Sequence, residues 1–344
     1  MTKSVRNKIV LAAAIAAAVC VVAAFVAYKA AFVLYDGKTA ARVYIGADAT
    51  ADSVTVELKR ALGESYGGRV ATLWDLLGGE TSRSHGSYGV EPGQSAVSVA
   101  KRIKDGRQTP VRLTFNNIRT LQQLAERVAG RMEFDKADFL AACDTVLAAK
   151  NFTKEGYIAA FVPDTYDFYW TSPAQVVVER LSDVRDDFWT DERRAEARAM
   201  GLTPVEVATV ASIVEEETAK SDERPKVARL YLNRLKRGMA LQADPTVKFA
   251  VGDFSLRRIR GNHLKVDSPY NTYKNTGLPP GPIRMPERAT LEAVLGAPEH
   301  DYLYMCARED FSGYHNFARD FATHQANARR YQAELNRRNI RCLL

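Results

Sequence analysis

Three consecutive glutamates close the run ASIVEEET, Ala211 to Thr218, directly behind an apolar segment. A carboxylate that faces inward from such a run loses its hydration, so its pKa rises and it becomes a proton donor near neutrality. Donation to a bridging oxygen is what cleavage of a glycosidic bond requires. The competing reading is a solvated helix end with all three carboxylates in water, the ordinary place for a run of charges. Helical register separates the three. Thr203, Pro204 and Glu206 form a helix start, with Thr as cap, Pro at the first helical position and Glu completing a capping box. At about 100° per residue, Val210, Ile213 and Val214 share one stripe and Glu217 lies roughly 20° from Val210, while Glu215 and Glu216 fall well to either side. A stripe that faces the core carries Glu217 inward with it.

Other residues bear on the same chemistry. KVARLYLNRLKRG reads as a helix with Ala228, Tyr231, Leu232 and Leu235 on one face, ended by Gly238. LQADPTVKFA then leads into SPYNTYKNTGLPPGPI, Ser268 to Ile283, rich in Asn, Thr, Tyr, Pro and Gly. Such a segment presents amides and hydroxyls from a proline-braced backbone, the groups that recognise a sugar chain; a structural surface loop is the alternative. Asp244 is a candidate second carboxylate. At about 5 to 9 Å from Glu217 across a sugar it would make hydrolysis by water a competing reaction; orienting Glu217, a loop amide or substrate is its other reading. The five histidines show no HExxH-type spacing, so neither a metal site nor a cofactor is expected. Of four cysteines, Cys20 lies in an apolar N-terminal segment, and Cys143, Cys306 and Cys342 cannot all pair, which excludes a disulfide scaffold.

The elements that must position these groups follow from composition and periodicity. Ile9 to Tyr28 is uncharged over 20 residues, enough to cross about 30 Å of hydrocarbon as a helix, and follows Lys3, Arg6 and Lys8. The expected topology is a single pass of the cytoplasmic (inner) membrane, with residues 1–8 cytoplasmic, 9–28 spanning, 29–40 a stalk and the remainder exported; a cleaved signal peptide is the alternative. Residues 41–118 alternate strand and helix patterns, notably ARVYIGA, ADSVTVELKRAL, GSYGV and TPVRLTF, and predict a small α+β module. Residues 119–154 read as a helical connector opened by Thr120, and 155–344 as a second, mixed α+β domain introduced by the turn-rich EGYIAAFVPDTYDFYWTSP. The fold class is therefore α+β behind one membrane helix. The formal net charge of +7 suits an anionic partner. An exported location and basic clusters without interleaved aromatics, Arg257 to Arg260 and the arginines at 329, 330, 337, 338 and 341, argue against nucleic acid. Those clusters read as solvated faces, with attraction to a membrane surface or an acidic glycan second.

Five blocks in order then give a resemblance: ASIVEEET, the NRL of Asn233 to Leu235, LQADPTV from Leu241, YNTYKNTGLPPGPI from Tyr270, and GYHNF from Gly313. Together they resemble the endolytic murein transglycosylases, the MltG or YceG-like family, over most of the exported chain. EGYIAAFVPDTY departs from the family's EGYLFPDTY by extra residues around Ala159 and Ala160. The resemblance implies that Glu217 is the catalytic acid/base, that Glu215 supports it and that Glu216 holds a variable position. It implies a groove around Gln242, Asp244, Tyr270, Asn271, Thr272, Tyr273 and His315, and a LysM-like N-terminal module. It also implies peptidoglycan glycan strands as substrate and penicillin-binding proteins and other glycan synthases as partners. A muramidase-type hydrolase and a non-catalytic wall-binding scaffold are the alternatives.

Overall fold

The computed structural model describes residues 3–256 and 258–338. Arg257, Arg341 and Cys342, and the side chains of Lys3, Arg6 and Lys8, each singled out above, lie outside the described residues. Contacts divide the chain into two compact units: residues 1–113 with 131–133 and 167–172, and residues 114–130, 134–166 and 173–344.

In the first unit α1 (Lys3–Ala31) is one continuous helix. Its apolar stretch, Leu11–Val26, measures about 24 Å at 1.5 Å per residue. Among the described residues no single helix is long and apolar enough to cross a membrane. Leu11, Ile15, Val19, Val22, Phe25 and Val26 are all well exposed. β1 (Ala41–Ile45) pairs antiparallel with β2 (Gly86–Val90), Val43 opposite Tyr88. Against this ribbon lie α2 (Ala51–Leu62), α3 (Glu64–Leu76) and α5 (Ala96–Lys104), with the single turn α4 (Thr81–Ser84) between. The three longer helices contribute stripes at helical spacing, such as Val54, Leu58 and Leu62 from α2 and Val99 and Ile103 from α5. β3 (Val111–Phe115) alternates buried and exposed residues and pairs with β4 (Asp164–Phe168).

The second unit begins with α6 (Leu121–Ala129), capped by Thr120, whose hydroxyl accepts the Gln123 N–H, and α7 (Lys136–Ala149). A 3₁₀ turn, Lys154–Ala160, follows; the extra residues Ala159 and Ala160 are buried in it, and the Ala159 carbonyl accepts a hydrogen bond from Arg185 at 3.2 Å. After α8 (Ala174–Phe188) and α9 (Asp191–Ala199) comes α10 (Pro204–Glu217), started by the Thr203–Glu206 capping box that the sequence predicts. α10 is enclosed on every side: all residues from Val207 to Glu215 are buried. It packs against α11 (Arg224–Lys236), α12 (Asp244–Val251), α13 (Arg288–Leu295) and the 3₁₀ turn. β5 (Tyr304–Ala307) and β6 (His315–Ala318) form an antiparallel hairpin, and α14 (Phe321–Arg337) closes the described chain.

The Ser268–Ile283 segment has no regular element, yet it is fastened at both ends. Near its start Asn271 and Thr272 are buried, and near its end the Ile283 N–H donates to Ser212 Oγ inside α10 at 3.0 Å. Gly281 sits directly on the Glu155–Gly156 backbone, where an added Cβ would collide with the Glu155 carbonyl. Gly281→Ala is therefore expected to cost about 2 kcal/mol through overpacking against immobile backbone. The check is a lower urea midpoint at unchanged m; an unaltered midpoint would show that the loop yields freely.

Candidate active site

The end of α10 places three consecutive carboxylates in three different environments. Glu217, the last residue of the helix, lines a cavity of about 220 Å³ together with Glu216, Asp244, Lys248, Leu256 and Ile259. Its Oε1 accepts a hydrogen bond from the Tyr231 hydroxyl of α11 at 2.8 Å. Glu217 keeps some exposure, as a residue on a cavity wall must, but protein surrounds its carboxyl closely. Burial raises its pKa from 4.5 to about 7. The Tyr231 bond opposes this rise, the charge of Asp244 adds to it, and His315 and Arg234 oppose it more weakly. Burial likewise holds the Tyr231 phenol well above its ordinary pKa, with the Glu217 charge reinforcing it, so Tyr231 remains a donor at neutral pH.

Arginines claim the other two carboxylates. Glu215 is the most enclosed of the three. Its Oε2 accepts the Glu287 N–H at 2.9 Å and the Thr290 hydroxyl at 2.8 Å, and its Oε1 lies 3.0 Å from Arg284 Nη2. Glu216 accepts from Arg284 Nη1 at 2.8 Å and Arg119 Nη2 at 2.9 Å. Arg119 also stacks over the Phe254 ring at 5.0 Å. The helical wheel set Glu215 and Glu216 off the buried stripe. Neither is free in solvent here, because α10 has no solvent face for most of its length and each flank is covered by a segment that supplies a cation. Of the three, Glu217 alone has no ion-pair partner among the described residues.

The motif residues after α10 fall into two groups. Asp244 opens α12, lines the same cavity as Glu217, and accepts the Tyr273 hydroxyl at 2.6 Å. Asn271 and Thr272 are buried and their side-chain polar atoms are engaged by neighbouring protein groups. Asn271 donates to the carbonyls of Leu264 and Val266 and accepts the Tyr273 N–H, while Thr272 Oγ1 accepts the Ala243 N–H at 3.0 Å and contacts the Thr246 hydroxyl at 2.8 Å. Gln242 has the left-handed φ of 49° and donates its backbone N–H to the Thr272 carbonyl. These bonds fix where Asp244 and Tyr273 stand. His315, at the start of β6, is bound through its N–H and Nδ1 to Glu223 at 2.8 and 2.7 Å, and Glu223 also accepts the Thr218 hydroxyl, so the hairpin is tied to the residue after Glu217. Tyr270 does not line the Glu217 cavity; its ring packs on Phe249 at 4.7 Å. Among the described residues no group of three His, Cys, Asp or Glu is arranged to hold a metal ion.

Sequence reasoning missed Tyr231, Arg234, Arg284, Arg119 and Glu223. Tyr231 counted as one apolar position among its neighbours on α11, and nothing local distinguishes a core tyrosine from one whose hydroxyl reaches a carboxylate. Arg284 stands immediately after the GLPPGPI block, so the motif boundary stops one residue short of it. Arg234 is buried, donating to the carbonyls of Leu303 and Leu241 at 2.7 and 2.8 Å, and lies close enough to act on Glu217 electrostatically.

Comparison with known proteins identifies the family of the chain. The YceG-like family profile matches residues 43–330. The chain belongs to the YceG-like family. It is 28% identical over 245 residues to the endolytic murein transglycosylase of Bacillus subtilis (strain 168), covering 65% of this chain and 67% of that protein. It is 27% identical over 263 residues to the endolytic murein transglycosylase of Streptococcus pneumoniae serotype 2 (strain D39 / NCTC 7466), covering 66% of this chain but 47% of the longer relative. The crystal structure of a yceG-like protein from Listeria monocytogenes superposes with a TM-score of 0.57 at 26% identity, over 84% of this chain and 99% of that one.

Two outcomes follow from the carboxyl at Glu217. Below its ordinary pKa of 4.5 both folded and unfolded chains hold the proton; between 4.5 and about 7 the unfolded chain releases it while the folded chain keeps it, so stability falls as pH rises. Glu217→Gln removes that loss. It is expected to be more stable than the parent by up to about 3 kcal/mol near pH 8 and equal to it near pH 4, measured by urea unfolding across pH; a gap independent of pH would contradict the assignment. Tyr231→Phe deletes a hydrogen bond that favours the charged form, so the Glu217 pKa should rise further. Carboxyl NMR titration reads that shift directly, and a downward movement would refute the role given to Tyr231.

Proposed function

We propose that this chain is a membrane-anchored endolytic lytic transglycosylase that cleaves the bond between N-acetylmuramic acid and N-acetylglucosamine in nascent peptidoglycan. The observation that carries the reading is one carboxyl, Glu217, raised to about 7 by burial on a cavity wall while its two neighbours are held by arginines. Such a group is half protonated near neutrality, suited to give a proton and take one back in a single turnover. Protonated Glu217 donates to the bridging oxygen as the bond to the muramyl anomeric carbon breaks. The resulting carboxylate, steadied by the Tyr231 hydroxyl, then accepts the proton of the muramyl 6-hydroxyl as that oxygen bonds to the same carbon. The products are a 1,6-anhydromuramyl end and a free hydroxyl on the leaving sugar. The nucleophile belongs to the substrate and is already positioned, so one protein carboxylate serves both steps. Membership of the YceG-like family and the names of its transglycosylase relatives support the same reaction.

Asp244 favours a second reading. It lines the same cavity, and a carboxylate there could activate water, as in a muramidase. Its Oδ1 is occupied by Tyr273, which fits an orienting and electrostatic part better, because its charge helps to keep the proton on Glu217. In this reading α1, with its exposed apolar residues and basic N-terminus, anchors the enzyme, and residues 41–118 form the LysM-like module between anchor and catalytic domain.

The deciding measurement is mass spectrometry of the ends released from uncrosslinked glycan strands by the full-length chain in detergent. Anhydromuramyl ends are expected, with a loss of at least a thousandfold in rate for Glu217→Gln because no proton can be donated. Reducing ends would assign a hydrolase, and no ends from either protein despite binding would assign a scaffold.

A further inference from the structure

Tyr270 belongs to the motif that marks the groove, yet it lines a second cavity, of about 360 Å³, in the same compact unit. One wall is aromatic, with Phe249 and Tyr270 at 4.7 Å and inclined by 47°. Leu140 and Ile158 add apolar lining. The Tyr270 hydroxyl and the Glu155 carboxylate also line the cavity; they act on each other electrostatically, and neither makes a side-chain hydrogen bond among the described residues. The other charged pair there, Lys154 and Asp144, is internally satisfied at 3.5 Å.

The two cavities share structural members. Arg119 lines the second and pairs with Glu216, which lines the first. Consecutive residues of α12 divide between them, Lys248 facing the first and Phe249 the second. An aromatic ring stacks on the C–H face of a pyranose, a small apolar wall accepts an acetyl methyl, and an unpaired hydroxyl and carboxylate bond to sugar hydroxyls and to an acetamido N–H. The volume is within the range of small-ligand sites. The two cations of the lining, Arg119 and Lys154, are paired with Glu216 and Asp144, so Glu155 is the carboxylate of this cavity without an ion pair among the described residues.

We propose that this second cavity is a remote saccharide subsite, taking an N-acetylated sugar of the same strand whose bond breaks at Glu217. The inference rests on the glycan-cleaving reading given above. It makes the enzyme sensitive to strand length: only a strand that reaches from Glu217 to Tyr270 gains the second contact, which favours internal cuts over removal of terminal units.

The test uses the full-length chain in detergent with soluble glycan oligomers of increasing length prepared from uncrosslinked strands. For the parent, kcat/KM should rise with length and then level. Gln122 is exposed at the mouth of the cavity, and Gln122→Trp fills it without removing a core contact. The ratio of long-oligomer to short-oligomer kcat/KM should fall about tenfold, the equivalent of one modest contact. Tyr270→Phe, which keeps the wall and removes the hydroxyl, should lower the same ratio by a smaller factor. A ratio unchanged in both variants, or a parent with no length dependence, overturns the subsite. In parallel, the affinity of Glu217→Gln for the same oligomers is measured by calorimetry with and without Gln122→Trp. If no oligomer is cleaved by the parent but affinity for the long ones still drops on filling the cavity, the enzymatic reading fails and the subsite stands. If affinity is indifferent to the filling, the subsite fails whatever the activity.

Discussion

The organisation of the second unit depends on the burial of α10 to its C-terminal end. Eight residues from Val207 to Val214 are sealed on all faces, so the glutamates that follow cannot simply turn to water. Two of them are neutralised by Arg119 and Arg284, which arrive from segments far away in sequence. Removing one partner of such a cluster leaves buried charge uncompensated, a cost of several kcal/mol, so the cluster ties those segments to the helix end. The third glutamate receives a phenol instead of a cation. A hydroxyl stabilises a carboxylate less than a guanidinium does, and the negative end of the α10 dipole works against ionisation as well. A carboxyl that holds its proton up to about pH 7 is therefore created by unequal distribution of arginines among three adjacent residues.

The loop from Ser268 to Ile283 serves this arrangement indirectly. Its asparagine and threonine side chains are used to satisfy the backbone of irregular structure, where no helix or strand ladder does so. What they hold in place is Tyr273, and through it Asp244. The Glu223 carboxylate plays a comparable part for the β5–β6 hairpin, gathering Thr218 and both donors of His315. Polar residues that resemble a recognition surface when read in order are here largely internal fastening.

Much of the local structure was legible. The Thr203–Pro204–Glu206 start, the Thr120 cap, the strands at GSYGV and around VRLTF, and the α11 helix all depend on interactions within a few residues, and short-range preference decides them. The α12 helix at Asp244 was not anticipated, because a short helix opened by Asp-Pro inside a Gly- and Pro-punctuated region has too few turns to show a period. In the first unit α2, α3 and α5 lie against the small ribbon, and each shows a buried stripe that repeats every three to four residues, a period that can be read locally.

By itself the sequence determined the register of α10, which sets Glu217 near Val210 on the wheel, because the capping residues fix the helix start and helical geometry carries it forward without outside help. It could not determine what surrounds that carboxyl. Tyr231 lies 14 residues away, Arg284 lies 68 residues from Glu216, and Arg119 lies 97 residues before it. Contacts at such separations leave no periodic trace, since they are made only when α11, the loop before α13 and the segment before α6 converge on the end of α10. Burial converts a sequence position into a pKa near 7, and burial is a property of the tertiary structure alone.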